Sequence, residues 1–301
     1  MNIYRPCAKI NLGLNIVARR ADGYHELETV FYPIPLCDEL RVEAAERFAF
    51  RQEGIALDCA PEDNLVVRAV RAYTQMAGLA EMPPLALTLR KNIPSGAGLG
   101  GGSSDAAMAV LAVRDWLRGG GKGEGERKRG GEGKRGGETA AHSGGRDATQ
   151  TVEELERMLA GIGADCPFFV RSRPVMARGI GDIMTPIGLS LSGWTLVLVR
   201  PDVHVSTKEA YGMIRPQRPE LCVEEIVREP VERWQGLLVN DFEAPVIAAH
   251  PVIGEVKREL LDMGATYAAM SGSGSAVFGL FRDEVVVDRF QGMFCYVGKL
   301  T

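Results

Sequence analysis

Lys91-Asn92-Ile93-Pro94-Ser95-Gly96-Ala97-Gly98-Leu99-Gly100-Gly101-Gly102-Ser103-Ser104-Asp105-Ala106-Ala107 is the stretch on which the fold turns. A strand-like run, Leu85-Ala86-Leu87-Thr88-Leu89, leads into it, and a helical run from Ala106 to Val113 leads out. Five of the seven residues from 96 to 102 are glycine, which accepts φ > 0 and lets a ligand approach the backbone. Unpaired N–H groups at the helix start, with the positive end of its macrodipole, favour phosphate there. Ser103 or Ser104 is expected to cap the helix, leaving a spare hydroxyl for a phosphate oxygen or a metal ion. A flexible glycine turn is the plain alternative. A P-loop is excluded because no lysine precedes Ser103. A dinucleotide fingerprint on Gly96–Gly101 lacks the acidic residue about 20 positions on that such a motif wants.

On the N-terminal side, Ala8–Ile16 alternates as a strand. It sets Ile10, Leu12, Leu14 and Ile16 on one face and Lys9, Asn11 and Asn15 on the other. Ala21-Asp22-Gly23 reads as a turn and His25–Tyr32 as the returning strand. Glu39–Glu43 is another strand, and Asn64–Tyr73 has helical spacing with Asp63 or Asn64 as N-cap.

On the C-terminal side the composition collapses over 119–150. That tract holds 12 of the 36 glycines, seven Lys/Arg and five Asp/Glu, with no aromatic or large aliphatic side chain. It cannot bury enough apolar surface to offset its ordering entropy, so a disordered surface loop is expected. Its two signs of charge nearly cancel, which argues against a nucleic-acid-binding arm. Val152–Leu159 resumes helical periodicity, ended by Gly161. Val175–Asp182 reads as a hairpin, and Trp194–Val199 as a buried strand opening a second domain. Pro251 starts a helix through Met263 that Gly264 stops, and Tyr267–Phe281 reads as strand, glycine turn, strand.

A chain of 301 residues suits two domains. No apolar run approaches the ~20 residues that cross a bilayer, and the first residues lack the apolar core of a signal peptide. A net charge of −4 supplies no basic field for nucleic acid or acidic lipid. Six dispersed cysteines without a Cys-x-x-Cys pair read as reduced, mostly core residues. The expectation is a soluble, cytoplasmic protein with no nucleic-acid or membrane partner, monomeric or weakly dimeric.

Asp165 lies beside Cys166, Phe168 and Phe169 in an apolar segment. It is either a structural carboxylate capping the preceding turn or a base that takes a proton from a substrate hydroxyl. Lys9 is a solvated strand residue or, with Asp165, an ammonium that keeps the carboxylate ionised and offsets charge on a transferred phosphoryl group. Tyr24 and Phe31 offer faces for stacking on a base. His25 offers a hydrogen bond to the base's edge, or is a turn histidine bonded to backbone.

The string Pro94-x-x-x-Gly98-Leu99-Gly100-Gly101-Gly102-Ser103-Ser104-Asp105-Ala106-Ala107 resembles the ATP loop of the GHMP kinases (galactokinase, homoserine kinase, mevalonate kinase and relatives). Ala8–Leu12 resembles the first motif of one branch, and Arg20–Phe31 its most distinctive signature. Gly163–Phe169 is similar to the segment that bears the catalytic aspartate, with Cys166 where valine is usual, and Met270–Ser275 resembles the third motif. The matches run from residue 4 to about 281 and leave out only 119–150.

The resemblance implies an α+β, two-domain GHMP kinase fold. A ribosomal protein S5 domain 2-like N-terminal domain would span 1–184, and a ferredoxin-like C-terminal domain 185–301. It implies ATP with Mg²⁺ as co-substrate. For that branch it implies phosphorylation of the 2-hydroxyl of a small molecule, a cytidine diphosphate methylerythritol. Carried over, Lys9 and Asp165 are the catalytic pair. Pro94, Ser95, Gly96, Ala97, Gly98, Leu99, Gly100, Gly101, Gly102, Ser103 and Ser104 cradle the ATP phosphates, with Ser103 or Ser104 near Mg²⁺. Asn64 and Lys91 border the adenosine. Asn11, Tyr24, His25 and Phe31 meet the substrate, Tyr211 adds a second stacking ring and Thr207 touches the diphosphate. The rivals are a homoserine or mevalonate kinase, and a catalytically inactive nucleotide-binding regulator. Tyr24-His25 favours the cytidine substrate, and retention of both Lys9 and Asp165 argues against the regulator.

Overall fold

The structure, a computed structural model, describes residues 1–56, 59–119 and 150–301. The tract 119–150, apart from its two end residues, lies outside them. Strands form where apolar residues alternate: β1 (Asn2–Tyr4), β2 (Cys7–Arg19), β3 (His25–Cys37), β4 (Glu39–Ala44), β5 (Ala49–Gly54) and β6 (Leu85–Lys91). They continue as β7 (Val175–Arg178), β8 (Ile183–Pro186), β9 (Thr195–Arg200), β10 (Tyr267–Met270), β11 (Val277–Phe281) and β12 (Phe294–Lys299). The helices are α1 (Leu65–Met76), α2 (Gly101–Arg118), α3 (Val152–Ala160), α4 (Phe168–Arg171), α5 (Thr207–Gly212), α6 (Val223–Ile226), α7 (Glu243–Ala249) and α8 (Pro251–Asp262). None among the described residues is long and apolar enough to cross a membrane.

Three four-stranded sheets result, in the orders β1-β4-β6-β5, β2-β3-β7-β8 and β10-β11-β9-β12. In the third sheet every pair is antiparallel and the first strand in chain order, β9, sits between the third and the fourth. That is the ferredoxin-like order. The chain from 282 to 293, where such a fold has its second helix, is irregular here. The expected α+β architecture is present. α1 and α2 pack Val66, Val70 and Tyr73 with Ala106, Ala109 and Val113 over Leu40 and Leu87 of the first sheet.

β2 departs from simple alternation. Leu12 pairs with Val30 but Leu14 with Thr29, so Gly13, at φ +62°, is an extra residue in the ladder. A one-residue bulge reverses the parity of everything beyond it. Leu14 and Ile16 therefore face the same side as Lys9 and Asn11, which corrects the single apolar face expected for the strand. Ile10 and Leu12 join a core with Trp194, Leu196 and Tyr267, whereas Leu14 and Ile16 join another with Phe242 and Val256.

Two further expectations need correction. Neither Ser103 nor Ser104 caps α2; the cap position is Gly100, so both serines fall within the first turn. Of the cysteines, all free, only Cys166 is fully buried, and Cys59 and Cys295 are exposed. Asn64 does cap α1, its side-chain oxygen accepting from the Val66 N–H at 2.9 Å.

Behind the start of α2 lies a sealed ionic cluster. The Lys91 ammonium donates to Asp38 and, at 2.7 Å, to Asp105, and none of the three side chains exceeds 2% exposure. Asp38 Oδ1 also accepts the N–H groups of Asn92 and Ile93 at 2.5 and 2.8 Å. Removing the cation from two buried carboxylates is strongly destabilising. Lys91→Met is expected to lower the unfolding free energy by about 3–5 kcal/mol, measured by urea denaturation.

Candidate active site

A cavity of about 780 Å³ opens where β2 and β3 meet the glycine loop, the 164–165 segment, the start of α5 and the 272–273 turn. It brings together Lys9, Asn11, Tyr24, His25, Phe31, Gly96, Gly98, Gly100, Asp165, Thr207 and Tyr211. A second cavity of about 810 Å³, around Trp194 and Trp234, contains none of the predicted site residues.

Strand geometry explains the floor. Lys9 and Asn11 alternate on β2, Lys9 opposite Pro33 and Asn11 opposite Phe31 of β3, with Thr29 next along the same face. Lys9 Nζ donates to Asn11 Oδ1 at 2.5 Å and to the Gly98 carbonyl at 3.0 Å, and it lies 3.6 Å from Asp165 Oδ2. It also stands 5.0 Å from the centre of the Phe31 ring. Asn11 Nδ2 donates to Thr29 Oγ1 at 3.0 Å, fixing which way the amide points. The Lys9 side chain is 5% exposed. Burial pulls its pKa below the ordinary lysine value, and the Asp165 carboxylate opposes that pull only in part.

Asp165 is only partly covered by its apolar neighbours. Its side chain is 32% exposed, on the cavity wall, while Cys166, Phe168 and Phe169 turn inward behind it. Phe31 differs from its sequence expectation. It is 3% exposed, packs edge-on against Phe168 at 5.4 Å and supports the Lys9 ammonium. His25 and Tyr211 stack at 4.8 Å with an interplanar angle of 23°, and Phe242 meets Tyr211 edge-on at 4.9 Å. Tyr24 stands at the rim, 61% exposed. Thr207 and Ser273 approach hydroxyl to hydroxyl at 3.4 Å.

The glycine loop divides between cavity and core. Gly96, Gly98 and Gly100 line the cavity, while Ala97 and Leu99 point into the core between them. Pro94 and Gly101 are buried, Ser95 and Gly102 exposed; Ser103 is half-buried and Ser104 sealed at 1%. None of these six lines the cavity, and neither does Asn64 or Lys91. Lys91 corrects the expected adenosine contact: the inward parity of β6 aims its ammonium at Asp38 and Asp105. Asn64 has its amide oxygen engaged in capping α1.

Several residues escaped the sequence. Asn240, from a loop 30 residues before Met270, donates to the carbonyls of Met270 and Gly272, both at 2.8 Å, and so shapes the third-motif turn. His204 and Lys208 add basic groups to the wall. Only Thr29 carried a signal, since it lies two residues from Phe31 on the same strand face.

Comparison with known proteins agrees with this geometry. The family model described as GHMP kinases N terminal domain matches residues 64–172, and that of GHMP kinases C terminal matches residues 223–300. A 4-diphosphocytidyl-2-C-methyl-D-erythritol kinase of Parabacteroides distasonis is 48% identical, and one of Bacteroides fragilis 44%, each alignment covering 98% of both chains. A crystal structure of 4-(cytidine 5'-diphospho)-2C-methyl-D-erythritol kinase superposes with a TM-score of 0.73 at 33% identity, over 93% of this chain and 90% of that one. The mevalonate kinase of Methanococcus jannaschii, at 10% identity and a TM-score of 0.64, shares the fold. The chain belongs to the GHMP kinase family, among the 4-diphosphocytidyl-2-C-methyl-D-erythritol kinases.

The glycine loop and the third-motif turn touch with no room to spare. Gly98, at φ +75°, has its Cα so placed that an added Cβ would lie 2.1 Å from the Ser271 carbonyl oxygen. Gly98→Ala must therefore part the two segments and strain the backbone. A loss of about 2–4 kcal/mol is expected by thermal denaturation, together with loss of any nucleotide affinity.

Proposed function

We propose that this protein transfers the terminal phosphoryl group of ATP to the 2-hydroxyl of 4-diphosphocytidyl-2-C-methyl-D-erythritol. The products are the 2-phosphate and ADP, and the step belongs to non-mevalonate isoprenoid synthesis. One observation carries the mechanism: an ammonium and a carboxylate 3.6 Å apart face a cavity whose wall includes the glycine loop.

Asp165, part exposed, is available to accept the hydroxyl proton. Lys9 sets a positive charge beside the phosphoryl group as negative charge builds on it. Asn11 acts by holding Lys9, and Phe31 by supporting it. The amides at the start of α2 and in the 94–104 loop hold the ATP phosphates. ATP brings Mg²⁺, which neutralises charge on its phosphates. Ser103, half-buried in the first turn, suits that ion better than sealed Ser104, and the described residues contain no cluster of three acidic, His or Cys side chains.

The His25–Tyr211 stack and Tyr24 form the cytosine end of the cavity, where an aromatic face and an imidazole edge can read the base. Thr207 lies at the diphosphate end beside Ser273. The proposed domains are 1–184 and 185–301, with the ferredoxin-like sheet wholly in the second.

Incubation of the purified protein with ATP and the cytidylyl substrate is expected to give a new phosphorylated species, absent with mevalonate or homoserine; phosphorylation of either alternative instead would overturn the assignment. Asp165→Asn should fold, bind ATP and lose about 10²–10⁴ in turnover, the usual worth of a positioned base. Undiminished turnover would remove Asp165 from the mechanism. Because burial lowers the Lys9 pKa, turnover should decline on the alkaline side below the pH at which a free lysine titrates, read from a pH–rate profile.

A further inference from the structure

His204 reaches the cavity from the connection between β9 and α5, and the mechanism leaves it unused. Its backbone is anchored on both sides. The Ser275 hydroxyl donates to the Val203 carbonyl at 2.7 Å, and Val205 is buried in the core that holds Phe242 and Met270. The imidazole lies against the glycine loop. A Cβ on Gly96, at φ +62°, would fall 3.1 Å from its Cε1 and 3.2 Å from its Nδ1. Among the described residues no hydrogen bond or ion pair engages the His204 ring, and none engages the Lys208 ammonium.

Helix spacing sets the direction in which a substrate would lie. Thr207 and Tyr211 are one turn apart on α5, so they share a face at about 5–6 Å. Tyr211 belongs to the His25 stack, and His204 precedes Thr207, beyond the start of the helix. A base on that stack, its ribose and its diphosphate would therefore run past Thr207 towards His204 and Gly96. Charge agrees with that direction. Among the described residues that line the cavity, the carboxylate of Asp165 is paired with Lys9, whereas His25, His204 and Lys208 are basic. The two ligands together add a constraint. ATP phosphates on the glycine loop and a substrate diphosphate in the same cavity repel each other, and a donor between them offsets that repulsion.

We propose that His204 is a phosphate-binding residue whose imidazole N–H donates to a non-bridging oxygen of the substrate diphosphate, with the Lys208 ammonium adding charge beside it. The proposal rests on the cytidine diphosphate reading of the cavity and adds to it the group that stands between the substrate's phosphates and those of ATP. Packing on Gly96 occupies the Nδ1–Cε1 edge of the ring, which leaves Nε2 to donate.

The experiment is calorimetric titration of the full chain with cytidine diphosphate, with cytidine and with Mg·ATP, for wild type, His204→Leu, His204→Gln and Lys208→Met. His204→Leu is expected to weaken cytidine diphosphate by at least about tenfold, the worth of one hydrogen bond to a charged group, and to leave cytidine unchanged. His204→Gln keeps an N–H donor and should recover part of that loss. Lys208→Met should weaken cytidine diphosphate by a factor that shrinks as salt is raised. Both side chains are exposed, so the variants are expected to fold. A residue that served only to hold the loop would weaken cytidine and its diphosphate alike, or neither, and either pattern overturns the proposal. So does a loss of Mg·ATP affinity with cytidine diphosphate binding intact, which would give the imidazole to the phosphates of ATP instead. Wild type that binds neither cytidine nor its diphosphate overturns the cytidine reading, and this proposal with it.

Discussion

The carbonyl oxygen of Gly98 is the point at which three distant parts of the chain meet. It accepts the Lys9 ammonium at 3.0 Å and the Ser271 hydroxyl at 3.0 Å, while the Asn11 N–H donates to that same hydroxyl at 3.2 Å. The glycine loop, β2 and the third-motif turn are thereby locked in one arrangement. A charge-assisted bond in a water-poor site is stronger than a neutral one, so this contact sets where the loop lies. Asn240 secures the turn from its other side through two carbonyls.

The bulge at Gly13 makes that arrangement compatible with a packed interior. Before it, β2 sends Ile10 and Leu12 to one core; after it, Leu14 and Ile16 fill another and Leu14 forms part of the cavity floor. A strand of unbroken alternation would have put Asn15 beside Lys9 and Asn11. Instead Asn15 reaches Asp241, whose carboxylate also accepts the Ile16 N–H at 2.7 Å. One inserted residue thus separates the polar patch that faces the cavity from the polar contact that holds the strand end.

Two buried lysines illustrate how environment decides charge. Lys9 has one partly exposed carboxylate at 3.6 Å and its pKa is lowered, because desolvation exceeds that attraction. Lys91 has two sealed carboxylates in contact and its pKa is raised, because burial draws it down but their combined attraction outweighs that. The first lines the cavity, whereas the second is sealed in the fold as a fixed structural charge.

Local signals were enough for much of this molecule. Glycine-marked turns, alternation in β3 and helical spacing in α1 and α8 depend on neighbours a few residues apart, and such features are written in the chain itself. So was the company of Lys9, Asp165 and the glycine loop, because each belongs to a distinct motif. Tertiary structure decided the rest. The partners of Lys91 lie 53 and 14 residues away, and only the packing of α2 on the first sheet brings them to one ammonium. Phe31 supports Lys9 because Phe168 comes edge-on to it, and Asp165 is part exposed because its apolar neighbours take the inward positions. Composition and spacing name the groups that can do chemistry; which of them meet, and with what charge, follows from long-range packing that excludes water from some and not from others.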